Sequence, residues 1–162
     1  MRKENELPSS IEAEKAVLGG IILEPTLWDS LSTEVDESDF IASEHKLIYR
    51  GIKKLIDLGS EIDTVTLIES LSKDKDLSSL SNFDRVSYVK NLVSETPGTA
   101  NFVNYTNIIK QSSSLRKLIS TAADISSLAK EADAFESENA LSEAEDKLIK
   151  LRDSIQRKSG PI

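Results

Sequence analysis

Residues 101–131 read NFVNYTNIIKQSSSLRKLISTAADISSLAKE, and residues 141–155 read LSEAEDKLIKLRDSI. In the first stretch Leu115, Leu118, Ala122, Ile125 and Ala129 recur at intervals of 3, 4, 3 and 4. In the second, Leu141, Ala144, Leu148, Leu151 and Ile155 repeat the same spacing. A 3-4 spacing keeps apolar side chains on one stripe of an α-helix. A short polar break around Phe135 to Asn139 separates the two stripes, and a short connection forces consecutive helices to run antiparallel. Residues 99–157 are therefore predicted to form a helical hairpin, a short coiled-coil-like arm.

Working outward, Ile108, Ile119, Leu128 and Ile149 sit off the main stripes. Each such side chain left in water forgoes roughly 1.5–3 kcal/mol of burial. Either a second copy of the chain covers them, or they pack back on the rest of the protein. The candidate self-association residues of the arm are Leu115, Leu118, Ile119, Ala122, Ile125, Leu128, Leu141, Ala144, Leu148, Leu151 and Ile155.

Residues 1–98 carry the same helical period in shorter pieces. Ser9 lies three residues before Glu12, the spacing of a capping box, and the helix continues through Ala13, Val17, Leu18 and Ile21. Gly19 and Gly20 cost about 1 kcal/mol each inside an unbroken helix. Close packing of another helix against bare backbone is the favoured reason for them. Pro25 ends the run, and a short turn of helix at Leu27, Trp28 and Leu31 follows. A third helix over Ser43 to Leu58 turns Leu47, Ile48, Ile52 and Leu55 inward and closes at Gly59. Asp63 is the expected N-cap of a fourth, with Val65, Leu67, Ile68 and Leu71. A serine-rich charged loop covers 73–82, and a fifth helix with Val86, Val89, Leu92 and Val93 ends at Pro97-Gly98. The expectation is an all-α chain: a small globular helical bundle over 1–98, the antiparallel hairpin over 99–157, and the start of a linker at 158–162.

The composition narrows the function classes. The 162 residues contain 28 acids, 20 bases and no cysteine, so neither a disulfide nor a thiolate metal site can form. Residues 1–99 hold 19 acids and 11 bases, whereas 100–162 hold 9 of each. An acidic bundle is poorly suited to gripping phosphates, which disfavours a sequence-specific DNA binder and leaves room for a partner with a basic face. The longest apolar run, Ala16 to Leu23, falls far short of the roughly 20 residues that span a membrane, and no signal-like segment opens the chain. The reading is a cytoplasmic protein with no membrane contact.

No residue constellation points to catalysis, to a cofactor or to a metal. His45 is the sole histidine and is read as a packed structural residue. Glu12 and Glu14 stand in a first helical turn, where the helix dipole alone favours acids. Ser112, Ser113 and Ser114 lack an accompanying base and read as a polar face. Lys46, Arg50, Lys53 and Lys54 make one basic stripe. It is read as a solvated face, with an ionic contact to a neighbouring subunit or partner as the alternative and DNA contact disfavoured by the surrounding acids. Arg116 borders the apolar stripe, either as a rim charge or paired across the hairpin with Glu143 or Glu145.

Five blocks in order carry a resemblance. Leu7-Pro8-Ser9-Ser10-Ile11-Glu12-Ala13-Glu14-Lys15-Ala16-Val17-Leu18-Gly19-Gly20 resembles the Pro-x-x-x-Glu-Ala-Glu-x-x-Val-Leu-Gly signature of the N-terminal domain of DnaB-type replicative DNA helicases. Asp39-Phe40 with His45 and Ile48-Tyr49 is similar to that family's second block. Gly59 with Ile62-Asp63 and Thr66-Leu67 is similar to its third. Tyr88 and Leu92, then Pro97, Asn101, Tyr105 and Arg116, fall in the family's order and spacing. Glu12, Glu14, Leu18, Gly19, Phe40, Asp63 and Arg116 are the structural signature residues on this resemblance.

The resemblance implies a bundle and hairpin in which hairpins pair two subunits. Three such pairs form a collar above a six-membered ATPase ring. It implies primase docking on that collar, helicase loaders acting on the same assembly, and DNA contacted only indirectly. ATP and Mg would belong to a motor domain. The phosphate-cradling Gly-x-x-x-x-Gly-Lys-Ser/Thr loop of such a motor does not occur in these residues, so no motor chemistry is assigned to them. The chain is thus expected to be a non-enzymatic fragment of an ATP-dependent helicase involved in DNA replication. A free-standing helical adaptor or helicase loader is the alternative, and a small helical enzyme a more distant one.

Overall fold

The computed structural model describes residues 6, 7 and 9–159, with side chains through Gln156. Every regular element in it is helical: α1 (Ile11–Leu23), α2 (Trp28–Ser32), α3 (Ser43–Asp57), α4 (Thr64–Ser72), α5 (Arg85–Ser94), α6 (Phe102–Glu131) and α7 (Ser137–Ser159). Single 3-10 turns stand at Pro25–Leu27, Glu37–Asp39, Leu77–Ser79 and Ala134–Glu136.

The chain divides into two compact units after Lys110. The sequence places that boundary at 98/99. It falls later because Phe102, Thr106 and Ile109, spaced 4 and 3 along α6, are buried with the bundle. The first turns of α6 are thus part of the globular unit, although the helix runs on without a break.

Within Ser9–Lys110 the helix boundaries follow local chemistry. The cap of α1 is Ser10, not Ser9: its Oγ accepts the Ala13 N–H at 3.2 Å. Glu12 makes no reciprocal capping bond in this helix start, and it stays exposed. Asp63 caps α4 as expected, with Oδ1 accepting the Thr66 N–H at 2.8 Å and Thr66 Oγ1 accepting the Asp63 N–H at 3.0 Å. Those bonds to the ionised form, the Thr66 N–H foremost, hold the Asp63 carboxyl below its ordinary range. Asp84 caps α5 through the Val86 and Ser87 N–H groups and is lowered for the same reason, Ser87 first. Gly59 ends α3 at φ +69°, the left-handed conformation that glycine adopts without a Cβ penalty.

The core joins α1 to α3, α4 and α5. Val17, Leu18, Ile21, Leu31, Phe40, Ile48, Ile52, Leu67, Leu71 and Val89 are fully enclosed. The Tyr49 ring lies 4.9 Å from Trp28 and 5.4 Å from Phe40, and its hydroxyl donates to the Val35 carbonyl at 3.0 Å. Gly19 and Gly20 lie inside an unbroken α1, so close approach is their reason for being there. A Cβ at Gly19 would stand 2.5 Å from the Leu92 carbonyl oxygen of α5, and one at Gly20 would stand 3.1 Å from the Phe102 ring. Gly51 performs the same service for α4, where a Cβ would meet Leu71 at 2.8 Å.

The second unit contains the rest of α6 and all of α7. The helical break comes a little earlier than the sequence suggests, since α7 already begins at Ser137. Asp133 opens the connecting turn, and its N–H donates to Glu136 Oε1 at 3.2 Å. Residues 158 and 159, expected to begin a linker, continue α7, and the remainder of 158–162 lies outside the described residues.

Candidate self-association arm and the polar nodes of the bundle

The two heptad stripes face a shared groove between α6 and α7. At the open end of the hairpin, Leu115, Leu118, Leu148, Leu151 and Ile155 line a cavity of about 510 Å³. Toward the tip, Ile125, Leu128, Leu141 and Ala144 line another of about 330 Å³. Facing stripes ordinarily close over each other, yet here the seam stays open. Leu115, Leu118, Leu141 and Leu148 remain 44% to 59% exposed. Ile119 and Ala122 line neither groove and are also exposed, Ile119 at 46%. Ile108 and Ile149 are partly exposed as well, at 42% and 57%. Phe135, at the tip of the hairpin, has no cover at all.

The bundle holds two polar nodes that periodicity alone does not reveal. The first is built on Glu14, which is 1% exposed, and His45, which is fully buried. Glu14 Oε2 accepts the Ile41 N–H at 2.8 Å and Oε1 accepts the Ala42 N–H at 3.4 Å. These amides lead into α3, whose N-cap residue Ala42 has no side chain able to cap. A carboxylate from α1 therefore pins the backbone immediately ahead of α3. His45 Nδ1–H donates to Glu14 Oε1 at 2.7 Å, which leaves Nε2 to accept the Tyr88 O–H at 2.6 Å. Burial, reinforced by Glu44, Glu14 and Glu12, pushes the Tyr88 phenol up to about 12. One network ties α1, α3 and α5 together. Glu14 is thus a buried brace, and the first-turn dipole reading of this residue is replaced.

The second node corrects the basic stripe. Arg50 is not a solvated cation. Its guanidinium bonds both Glu37 oxygens at 3.1 and 2.8 Å, both Asp74 oxygens at 2.9 and 3.0 Å, and Asp76 at 2.8 Å. The Glu37 hydrogen bonds are the main influence holding it protonated. Arg50 fastens α3 to the 3-10 turn before it and to the loop after α4. Lys53 and Lys54 do remain exposed on that helix.

The other signature residues have structural places. Leu18 and Phe40 are core, Gly19 meets α5, Asp63 caps α4, and Arg116 is half-buried on α6. Ser113 is buried rather than part of an exposed polar face. Among the described residues, no group of three or more His, Asp or Glu side chains is placed to hold a metal ion. None of the described helices is long and apolar enough to cross a membrane.

A braced helical bundle with a helical arm that presents an open apolar seam defines an all-helical scaffold module. A family model described as the DnaB-like helicase N terminal domain matches residues 6–111, nearly the compact unit that ends at Lys110. The chain belongs to that family. It is 36% identical over 157 residues to the replicative DNA helicase DnaB of Buchnera aphidicola subsp. Baizongia pistaciae, covering 96% of this chain and 33% of the relative. It is 35% identical over 156 residues to the replicative DNA helicase DnaC of Bacillus subtilis, covering 94% of this chain and 32% of the relative. The chain thus spans about a third of the length of these curated relatives. Its fold matches the crystal structure of the N-terminal domain of DnaB helicase from Mycobacterium tuberculosis at a TM-score of 0.78 and 23% identity, over 90% of this chain and 99% of that one. A DnaB-like replicative helicase, described with its interactions with primase, matches at a TM-score of 0.68 and 22% identity, over 88% of this chain and 31% of that one.

Proposed function

We propose that this chain is the collar domain of a hexameric replicative DNA helicase, a scaffold that assembles through its arm and offers a docking platform to primase and to a helicase loader. The observation that carries the reading is the open seam of the arm. Four leucines on facing helices remain about half exposed, a state that a second copy of the arm relieves. In the assembly, arms pair two subunits and three pairs make the collar, so the hairpin sets the ring geometry. ATP and Mg act in a motor domain to which these residues contribute no phosphate loop, and the protein works in the cytoplasm. Membership of the DnaB family supports this reading, as does the naming of the relatives as replicative helicases. A primase partner is supported by the solved helicase described with its primase interactions.

Light scattering over a concentration series tests the assembly, followed by titration with a bacterial primase. The expected result is a mass above the 17.8 kDa of one chain, and a further rise with primase. A constant mass of one chain at every concentration would contradict self-association through the arm. Assembly without any response to primase would contradict the docking role.

A further inference from the structure

Besides its apolar grooves, the arm has a polar one, of about 350 Å³, between residues 117–124 of α6 and 147–151 of α7. Apart from Leu151, it shares no lining residue with the two apolar grooves described above. Its walls are cationic. Lys117 enters from α6, Lys147 and Lys150 enter from α7, and Asp124 is the one acid that lines it. Ser120 and Thr121 add two hydroxyls, and Leu151 adds an apolar patch. Glu143 stands four residues before Lys147, and Asp146 four before Lys150, a spacing at which opposite charges on a helix pair. Yet among the described residues neither lysine has an ion-pair partner. Both ammonium groups line the groove with their charge uncompensated.

We propose that this groove docks a short acidic segment of a partner protein, in which carboxylates flank an apolar side chain. Its length sets the size of the segment. Residues 117–124 rise about 10 Å along α6, which matches about three residues of extended chain. The lysines supply the counter-charge, Ser120 and Thr121 can donate hydroxyl hydrogen bonds to a carboxylate, and Leu151 receives the apolar side chain. A nucleic-acid strand fits less well. Its charges repeat along its whole length and would meet Asp124 in the groove and Glu143 and Asp146 nearby on α7. No aromatic ring lines the groove, so a base would find nothing to stack on. The inference rests on the docking role proposed above and gives that role a surface and a ligand chemistry.

Fluorescence anisotropy on the whole chain provides the test. The probe is a short labelled peptide rich in aspartate and glutamate with leucine interspersed. Its comparisons are the same peptide with asparagine and glutamine in place of the acids, and a single-stranded oligonucleotide of equal charge. The acidic peptide should bind, the amide peptide should bind about tenfold more weakly or worse, and added salt should weaken the acidic peptide. Lys147→Ala/Lys150→Ala should weaken the acidic peptide by about tenfold or more. Its helix content should be unchanged, because both side chains reach solvent and alanine favours the helix. Lys53→Ala/Lys73→Ala removes the same charge from exposed positions in the bundle and should change the affinity by less than about twofold. Equal weakening by the two variants would mean attraction by general charge and would overturn the proposal. So would an acidic peptide that does not bind, or an oligonucleotide that binds more tightly than the peptide. A chain that takes the peptide in the groove but ignores primase supports the groove and contradicts only the choice of primase as partner.

Discussion

Gly19 offers the sharpest measure of how closely α1 and α5 approach. The Cβ of an alanine there would lie 2.5 Å from the Leu92 carbonyl oxygen and 3.2 Å from Thr96 Cβ. The first distance is roughly 1 Å short of van der Waals separation, and the obstacle is backbone, which cannot swing aside as a side-chain end can. Overpacking of this kind costs about 1–3 kcal/mol, against which alanine returns about 1 kcal/mol of helix propensity over glycine. Gly19→Ala should therefore destabilise by about 1 kcal/mol, and Gly19→Leu, with three further carbons in the same space, by about 3 kcal/mol. Gly20 is the internal control. Its Cβ would meet the edge of the Phe102 ring at 3.1 Å, a side-chain contact that a shift of a few tenths of an ångström relieves, so the propensity gain offsets the crowding. Gly20→Ala should stay within about 0.5 kcal/mol of wild type. Urea unfolding followed by circular dichroism measures all three. A Gly19→Ala chain as stable as Gly20→Ala would refute close backbone packing between α1 and α5.

Further outcomes follow from the polar nodes and caps. Glu14→Ala leaves His45 and the amides leading into α3 without their acceptor and should cost about 3 kcal/mol in urea unfolding, whereas Tyr88→Phe removes one hydrogen bond and should cost about 1 kcal/mol. The Tyr88 phenol is raised in the folded chain, so its contribution is complete below the ordinary tyrosine value of about 10 and is lost as pH rises through about 12. Unfolding midpoints over that range should fall less steeply in Tyr88→Phe. Arg50→Ala leaves the buried Asp74 carboxylate with only the Asp76 N–H and the longer Lys54 contact and should cost about 2 kcal/mol, while Lys53→Ala on the same helix should be close to neutral in the same assay. Asp63 and Asp84 have lowered folded values, so their contribution is present above about pH 4 and is lost as pH falls through those lower values. An Asp63→Asn/Asp84→Asn chain should lose stability less steeply than wild type in urea unfolding between about pH 5 and pH 2.

Local rules made most of the helices legible. Asp63 and Gly59 mark helix ends through the bonds and backbone angle each supplies. The paired glycines in α1 announce a close neighbour, and the two stripes announce the arm. The features that periodicity missed depend on partners distant in sequence. Glu14 stands three and four residues before Val17 and Leu18, on the buried face of α1. An acid in that register requires a partner, and the chain's one histidine was available, but the first-turn position offered a simpler explanation. Arg50 shares its helix with three lysines, whereas Asp74 and Asp76 reach it from a loop after α4, so spacing within α3 could not distinguish it. The unit boundary was obscured for a related reason. One continuous helix turns Phe102, Thr106 and Ile109 into the bundle and then presents the arm stripe from Leu115 onward.

The arm as the assembly element is tested most directly by sedimentation equilibrium of a Leu118→Glu/Leu148→Glu chain beside wild type. Both residues line the open-end groove and each remains nearly half exposed in the single chain, so the substitutions leave the core of Ser9–Lys110 untouched. The predicted result is a wild type that self-associates and a variant that sediments as one chain of about 17.8 kDa with unchanged helix content. A variant that assembles as tightly as wild type would contradict the claim that the arm joins the subunits.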